Sequence, residues 1–341
     1  MTHPRTRVLD VMKEKKPFTF ADLFAGIGGM RLGFEEAGGT CVLTSEIDDA
    51  ARKTYKYHFE KNDCKNHQYI DDVVRLGNLK KEDIPEFDVL VAGFPCQPYS
   101  IAGLRQGLND EKGRGQVFLS ILKILKKAEP DAFLLENVKG MLSHDRGQTM
   151  AWMRKKLAKC GYSVLDPEVL NSMVHGGVPQ NRERVFLIGF KEGIDTKTFK
   201  WPKGISVKKS LVEHLEKIEV DEKYYYTDRF ECFKEIEEQV TNPNTAYQWR
   251  RVYVRENKSG VCPALTANMG SGGHNVPLVK VASGIRKLTP RECANLQGFG
   301  KDFKFPPGMS DSHLYHQFGN SVTVPLIARL AQEIQKVITN A

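Results

Sequence analysis

Short apolar runs alternate with amphipathic stretches over the first half of the chain. Residues 18–25 (Phe-Thr-Phe-Ala-Asp-Leu-Phe-Ala) read as a buried strand, and Gly26-Ile-Gly-Gly-Met-Arg-Leu-Gly33 then turns into a helix running to about Ala37. A second strand, Cys41 to Thr44, ends at Ser45-Glu46, and Asp72 follows a third. Phe87 to Ala92 predicts the fourth strand and runs into Gly93-Phe-Pro-Cys-Gln97; Ala132 to Leu135 predicts the next and runs into Glu136-Asn-Val-Lys139. Between these two lie a loop punctuated by Gly103, Gly107, Gly113 and Gly115 and an amphipathic helix with Phe118, Ile121, Leu122 and Leu125 on one side. Strands alternating with helices predict an α/β fold with a doubly wound, mostly parallel sheet.

After Val185-Phe-Leu-Ile-Gly-Phe190 the pattern breaks into short irregular segments rich in aromatic and basic residues. The expected organisation is a large domain over residues 1–190, a second, smaller, irregular domain over 191–285, and a hinge with a terminal helix over 286–341. Thr289-Pro-Arg-Glu292 has the form of a capping box before Cys293-Ala-Asn-Leu, and Val324 to Ile338 is an amphipathic helix expected to pack back on the large domain.

A chain of 341 residues that is 40% hydrophobic can bury a full core and still form a second domain. No run of eighteen apolar residues occurs, and Met1 to Lys16 is charged rather than built like a signal peptide, so a cytoplasmic protein with no membrane partner is expected. The net charge of +8 favours a polyanionic partner without proving one. Seven cysteines, an odd number with no C-x-x-C pair, argue against a disulfide framework or a Cys-rich zinc site. His313 and His316 are the only closely spaced histidines and have no cysteine beside them; they read as surface or loop residues, and no metal is expected.

The glycine turn is close to G-x-G-x-x-G, which by itself suits either a tight turn or a nucleotide cradle. Glu46 stands about twenty residues beyond Gly26, where a carboxylate meets ribose hydroxyls, and with Asp72 it favours a cofactor containing adenosine; a dinucleotide stays open. Pro95-Cys96-Gln97 lies at the carboxyl end of one strand and Glu136 at the end of its expected neighbour, so the two can meet where open α/β sheets bind ligands. A lone cysteine is more often a small buried hydrophobe, and position alone separates Cys96 from the other six. Glu136 has the alternatives of capping Val138-Lys139 or pairing with a surface cation. Arg182 and Arg184, two residues apart beside a strand, should point the same way and can anchor Glu136 or a phosphate, or form a surface ion pair.

Taken together, Phe24-Ala-Gly-Ile-Gly-Gly29, Gly93-Phe-Pro-Cys-Gln97, Glu136-Asn-Val138, Gln180-Asn-Arg-Glu-Arg184, Leu288-Thr-Pro-Arg-Glu-Cys-Ala294 and Gln317-Phe-Gly-Asn-Ser321 follow one another in family order. The chain resembles the bacterial DNA cytosine-5 methyltransferases of restriction-modification systems, over nearly its whole length outside residues 191–285. The resemblance implies the Rossmann-like fold of enzymes that use S-adenosyl-L-methionine, with a small DNA-recognition domain. It implies methyl transfer to carbon 5 of a flipped cytosine in a short double-stranded DNA sequence. The cofactor pocket so implied comprises Phe24, Ala25, Gly26, Gly28, Gly29, Glu46 on the ribose, Ile47, Asp72 on the adenine, Pro95, Asn320 and Ser321. Cys96 would be the nucleophile, Glu136 would contact the flipped base, Arg184 would hold it, and Arg182 would support them from behind.

The family's variable recognition region corresponds to residues 191–285, where Arg250-Arg251-Val-Tyr-Val-Arg255 and Asn268-Met-Gly-Ser-Gly-Gly-His-Asn275 fall. Expected DNA contacts are Gln97, Ser100, Arg114, Arg250, Arg251, Arg255 and Thr266. Where the family usually has Thr-Leu this chain has Ala264-Leu265-Thr266, so the first hydroxyl is missing. A monomer associated with the bacterial nucleoid, with a cognate restriction endonuclease, completes what the resemblance implies.

Carbon 5 of cytosine is a poor nucleophile, and a thiolate adding at carbon 6 makes it an enamine-like centre able to attack a methyl sulfonium. Glu136 at ring N3 would assist best with a raised pKa. The base must leave the stack, with the glycine-rich segment 97–116 as the expected lid. Three rivals are an RNA cytosine methyltransferase, a DNA-binding module without catalysis, and an NAD enzyme. The length of 191–285 favours DNA over RNA, the joint presence of Cys96 and Glu136 favours catalysis, and an NAD enzyme would leave those two without a role.

Overall fold

The apolar runs become strands of one central sheet in the computed structural model, which describes residues 17–95, 114–250, 252–257, 260–271 and 275–340. The first half alternates as read: β1 (Phe18–Leu23), α1 (Gly29–Glu36), β2 (Gly39–Ser45), α2 (Asp49–Phe59), β3 (Gln68–Ile70), α3 (Val73–Asn78), β4 (Val89–Gly93), α4 (Arg114–Ala128), β5 (Ala132–Val138) and α5 (Gln148–Ala158). Then follow β6 (Tyr162–Val164), β7 (Glu168–Asn171), α6 (Ser172–Gly176), β8 (Gln180–Asn181) and β9 (Glu183–Lys191).

Strand order is β3-β2-β1-β4-β5-β9-β6, with β7 also paired to β9. The five strands from β3 to β5 are parallel and β9 runs antiparallel to its neighbours, so the sheet is doubly wound and mostly parallel. The chain leaves β1 toward β2 and returns on the other side at β4. The carboxyl ends of β1 and β4 are therefore the switch point at which such sheets bind ligands.

One face of the sheet is covered by a core that includes Phe118, Ile121 and Leu125 of α4 with Met150 and Met153 of α5. The other face packs α1 against the terminal helix α10 (Val324–Ile338), where Ile327, Leu330 and Ile334 meet Phe20, Phe34 and Val91. Each such side chain, taken fully from water, stabilises the fold by roughly 1.5–3 kcal/mol. The helices can approach this closely because Gly33 carries no side chain: a Cβ there would lie 2.6 Å from the Ile327 side chain.

The region read as one irregular domain is divided in the structure. Ile194, Phe199 and Trp201 stay on the large core. A four-stranded sheet, β11-β10-β13-β14, combines β10 (Tyr247–Trp249), β11 (Val254–Glu256), β13 (Leu278–Val281) and β14 (Gly284–Lys287). With α7 (Phe233–Gln239) it encloses a small core of Tyr226, Ile236, Tyr247, Trp249 and Leu278. Between them β12 (Cys262–Pro263) leaves this sheet and pairs in parallel with β8, which brings the next residues back to the large domain. Two residues pairing across so long a separation leave no local pattern in the sequence.

The helix α8 (Pro290–Leu296) begins with the expected capping box: Thr289 N donates to Glu292 Oε2 at 2.8 Å and Glu292 N donates to Thr289 Oγ1 at 3.2 Å. Arg286 holds both carboxylate oxygens of Glu292 at 2.8 and 2.6 Å, and both residues are buried. Removing one partner of such a pair costs about 3–5 kcal/mol. The helix α9 (Asp311–Asn320) follows and carries both His313 and His316 exposed, so they lie on a helix rather than a loop.

Asp22 is fully buried in β1, and neither carboxylate oxygen has a hydrogen-bond partner among the described residues. Burial pushes its carboxyl from 3.8 to about 8; Arg31 opposes this, while Glu46 and Glu35 add to it. The folded protein thus holds a proton that the unfolded chain has released, and stability should fall as pH rises from the ordinary carboxylate range toward 8. In Asp22→Asn that decline should be shallower. Urea midpoints measured across this range check the point, and equal slopes for the two proteins would show that Asp22 is not the buried acid responsible.

Candidate active site

The turn after β1 is held open by left-handed backbone at Phe24 (φ 56°), Gly26 (φ 56°) and Gly28 (φ 87°). For a phenylalanine this conformation costs about 1–3 kcal/mol, a strain that clusters where ligands are clamped. The turn is tied to β2 by Ala25 N donating to Ser45 O at 3.0 Å and by Gly26 N donating to Glu46 Oε2 at 2.7 Å. Asp48 N donates to Glu46 Oε1, also at 2.7 Å. Burial raises the Glu46 carboxyl above its ordinary value, and the Asp48 and Gly26 amides oppose that rise.

Ile47 beside it is 69% exposed, an apolar side chain with nothing covering it in the described structure. Gly29 opens α1 directly under Ser321: a Cβ at Gly29 would lie 2.6 Å from Ser321 Oγ. The structure therefore brings Phe24, Ala25, Gly26, Gly29, Glu46 and Ser321 together. Asp72 caps α3 after the end of β3, accepting from Val74 N at 2.8 Å, and the exposed Pro95 follows β4, across β2 and β1 on the same carboxyl edge of the sheet. Asn320 is exposed, with its amide 3.0 Å from His316 Nε2.

A fixed carboxylate, an uncovered isoleucine and a hydroxyl seated on a side-chain-free helix start fit a ligand with ribose hydroxyls and a flat apolar group. Each Glu46 oxygen keeps a lone pair for such hydroxyls. A cavity of about 270 Å³ lies behind this cradle, between α2 and the end of β3, with Thr44, Arg52, Tyr55 and Tyr69 in its wall. Of the cofactor candidates it touches Glu46.

Glu136 lies inside β5, opposite Gly93 in register, because the strand runs three residues beyond Leu135. Its Oε1 is 2.9 Å from Arg184 Nε, and the two side chains are only 10% and 18% exposed, which makes this a largely buried pair rather than a surface one. Burial raises the Glu136 carboxyl; the charges of Arg184 and then Arg182 pull it down. Arg182 is buried too, but it donates to the carbonyls of Leu265, Gly319 and Ser321. Burial and the like charge of Arg184 push its guanidinium down to about 9, against the pull of Glu136.

Asn137 was not singled out from sequence, although it directly follows Glu136. Its amide donates to Phe94 O at 2.9 Å and so fixes the main chain two residues before Cys96. Cys96, Gln97, Ser100 and Arg251 lie outside the described residues, as does the side chain of Arg114. Residues 114–116 belong to α4 and not to the loop read as a lid. Arg250 and Arg255 are exposed on the β10–β11 hairpin, and Thr266 is exposed where the chain returns from it.

Burial raises the thiols of Cys262 and Cys293 and pushes that of Cys41 to about 12, leaving them poor nucleophiles. Among the described residues no group of His, Cys, Asp and Glu could hold a metal ion, and no helix is long and apolar enough to cross a membrane.

Comparison with known proteins agrees across the chain. A model of the C-5 cytosine-specific DNA methylase family matches residues 18–336. The Type II methyltransferase M.Bsp6I of Bacillus sp. (strain RFL6) is 46% identical over 321 residues, covering 93% of this chain and 98% of that protein. The Type II methyltransferase M.HpaII of Haemophilus parainfluenzae is 34% identical over 349 residues, covering 96% and 91%. Among solved structures, DNMT2 of Spodoptera frugiperda superposes with a TM-score of 0.70 at 21% identity, over 93% of this chain and 99% of that one, a likeness of fold alone.

Proposed function

The chain belongs to the C-5 cytosine-specific DNA methylases and is a DNA cytosine-5-methyltransferase, and on that premise we propose that it methylates a flipped cytosine through a covalent Cys96–carbon 6 bond. The observation that carries this reading is the buried Glu136–Arg184 pair, whose Glu136 lies in register with Gly93, three residues before Cys96 in the chain. S-adenosyl-L-methionine, bound in the cradle, supplies an electrophilic methyl group.

The Cys96 thiolate adds to carbon 6 and forms the C–S bond, and the ring electrons shift toward carbon 5 and N3. Glu136 stabilises that charge by hydrogen bonding or proton donation at N3, and Arg184 keeps the carboxyl aimed. Carbon 5 would take the methyl group, the sulfonium keeping the S–C electron pair and leaving as S-adenosylhomocysteine; a base then removes the carbon 5 proton, and the released electron pair expels the thiolate. Glu46 would fix the cofactor's ribose, Asp72 its adenine, and Phe24, Ile47 and Pro95 would enclose that ring.

Residues 191–285 supply sequence recognition, with Arg250, Arg255 and Thr266 on the DNA side. The protein works as a monomer on double-stranded DNA in the bacterial cytoplasm, close to the nucleoid, and protects that DNA from a cognate restriction endonuclease. Sequencing 5-methylcytosine in host DNA after expression tests the reading. A single short sequence methylated throughout is expected; unmethylated host DNA from cells holding the folded protein would refute it.

Glu46→Ala should weaken S-adenosylhomocysteine binding by about 1.5–3 kcal/mol, the worth of hydrogen bonds to a charged group. Calorimetry on the folded variant reads this directly. Unchanged affinity would move the ribose away from Glu46.

A further inference from the structure

Arg182 is 1% exposed, yet among the described residues its guanidinium meets main-chain carbonyls and no carboxylate at hydrogen-bond distance: Leu265 O at 2.5 Å, Gly319 O at 3.1 Å and Ser321 O at 2.5 Å. These carbonyls belong to two segments far apart in sequence, the stretch that follows β12 and the junction of α9 with α10. Gln180 reinforces the junction. Its Oε1 accepts from Leu265 N at 3.2 Å, and its Nε2 donates to Leu296 O at 3.0 Å and to Gln297 Oε1 at 3.1 Å. Gln297 in turn donates to Phe318 O at 2.9 Å and accepts from Thr323 Oγ1 at 3.0 Å.

The two segments also touch backbone to backbone. A Cβ on Gly319 would overlap the main chain of Thr266 and Ala267, and one on Gly270 would lie 2.6 Å from Ser312 O. Contacts this close leave no room for sliding, so residues 265–271 and the helix end at 319–321 form one rigid body. One side of that body carries exposed Thr266 and Asn268; another seats Ser321 Oγ on Gly29 at the start of α1.

We infer that Arg182 is a positioning residue that couples the cofactor site to the DNA-recognition segment, so that each ligand tightens the other. The inference rests on the reading that places the cofactor at Gly29 and Ser321 and DNA at 265–271. A ligand that fixes Ser321 restrains its carbonyl, and through the shared guanidinium it restrains Leu265 as well. The same link runs in reverse, as thermodynamic linkage requires. Methionine at position 182 would leave the three carbonyls without their donor, whereas lysine keeps an ammonium with three hydrogens but not the planar fork.

The test is the affinity of a short duplex, carrying the sequence found methylated in host DNA, with and without saturating S-adenosylhomocysteine. Fluorescence anisotropy should show the cofactor product tightening the parent's grip by about tenfold. In Arg182→Met the ratio should fall toward one, and in Arg182→Lys it should partly recover. Thermal unfolding and calorimetry with S-adenosylhomocysteine alone establish that each variant is folded and cofactor-competent. Should Arg182→Met fail to fold, Gln180→Met loosens the same junction from the other side and takes its place. A purely structural role would lower the melting temperature without altering the ratio. The inference is overturned by an unchanged ratio in a folded junction variant, or by a ratio of one in a parent that binds both ligands. A parent that binds neither ligand removes the proposed function along with it.

Discussion

Cys96→Ala should lose on the order of 10⁴-fold or more of its methyl-transfer rate, because removing a nucleophile eliminates the covalent path and does not merely weaken it. The decisive reading is a trapped adduct. With 5-fluorocytosine at the target position the methyl group can arrive, but fluorine cannot leave as a cation, so elimination stalls with protein joined to DNA. The parent should give a complex that survives denaturation, and Cys96→Ala should give none while still binding cofactor. Alanine at Cys41, Cys262 or Cys293 provides a contrast, since burial raises those thiols and keeps them away from reagents. A denaturation-resistant complex formed by Cys96→Ala would place the nucleophile elsewhere.

Glu136→Ala should lower single-turnover methyl transfer by about 10²–10⁴-fold, the range for a positioned proton donor. The direction of its pKa shift adds a second, sharper expectation. Burial raises the Glu136 carboxyl despite Arg184 and Arg182, so the protonated form persists above the usual carboxylate range. If that form assists at N3, the rate should decline as pH rises through the raised value. Glu136→Gln, which keeps a donor but cannot release a proton, should lose this alkaline decline. Either substitution also leaves Arg184 without its ion-pair partner and two neighbouring cations uncompensated, so stability should drop by about 3–5 kcal/mol and must be measured alongside. A Glu136→Gln profile with the parent's alkaline limb would assign that limb to another group.

Much of this candidate site is legible in the sequence because its chemistry is carried by strand ends. Glycines at 26, 28 and 29, a carboxylate at 46 and a second at 136 each follow an apolar run, and the parallel sheet gathers such positions at one edge. The capping box at Thr289 and the terminal helix at 324–338 were equally local signals. What stayed hidden depends on distance along the chain. Nothing near Arg182 announces that its partners will be carbonyls at 265, 319 and 321, because main-chain oxygens have no residue identity. The β12–β8 pairing is two residues long and leaves no periodicity, so the division of 191–285 could not be read. Alternation puts Arg182 and Arg184 beside the same strand, but it cannot say that Arg184 pairs with Glu136 while Arg182 turns to main-chain carbonyls.

The packing of α10 against α1 bears on how the enzyme is made. The ribosome delivers the cradle residues well before the helix that covers the face behind them, with Ile327, Leu330 and Ile334 in its apolar stripe. Until it emerges, Phe20, Phe34 and Val91 have no partner on that side, and Ser321 is not yet present to sit on Gly29. Until α10 docks, a nascent chain therefore exposes an apolar face of the kind that makes folding intermediates prone to aggregate. The cradle is complete only once α10 has docked, so a chain truncated before Ser321 lacks the hydroxyl that sits on Gly29.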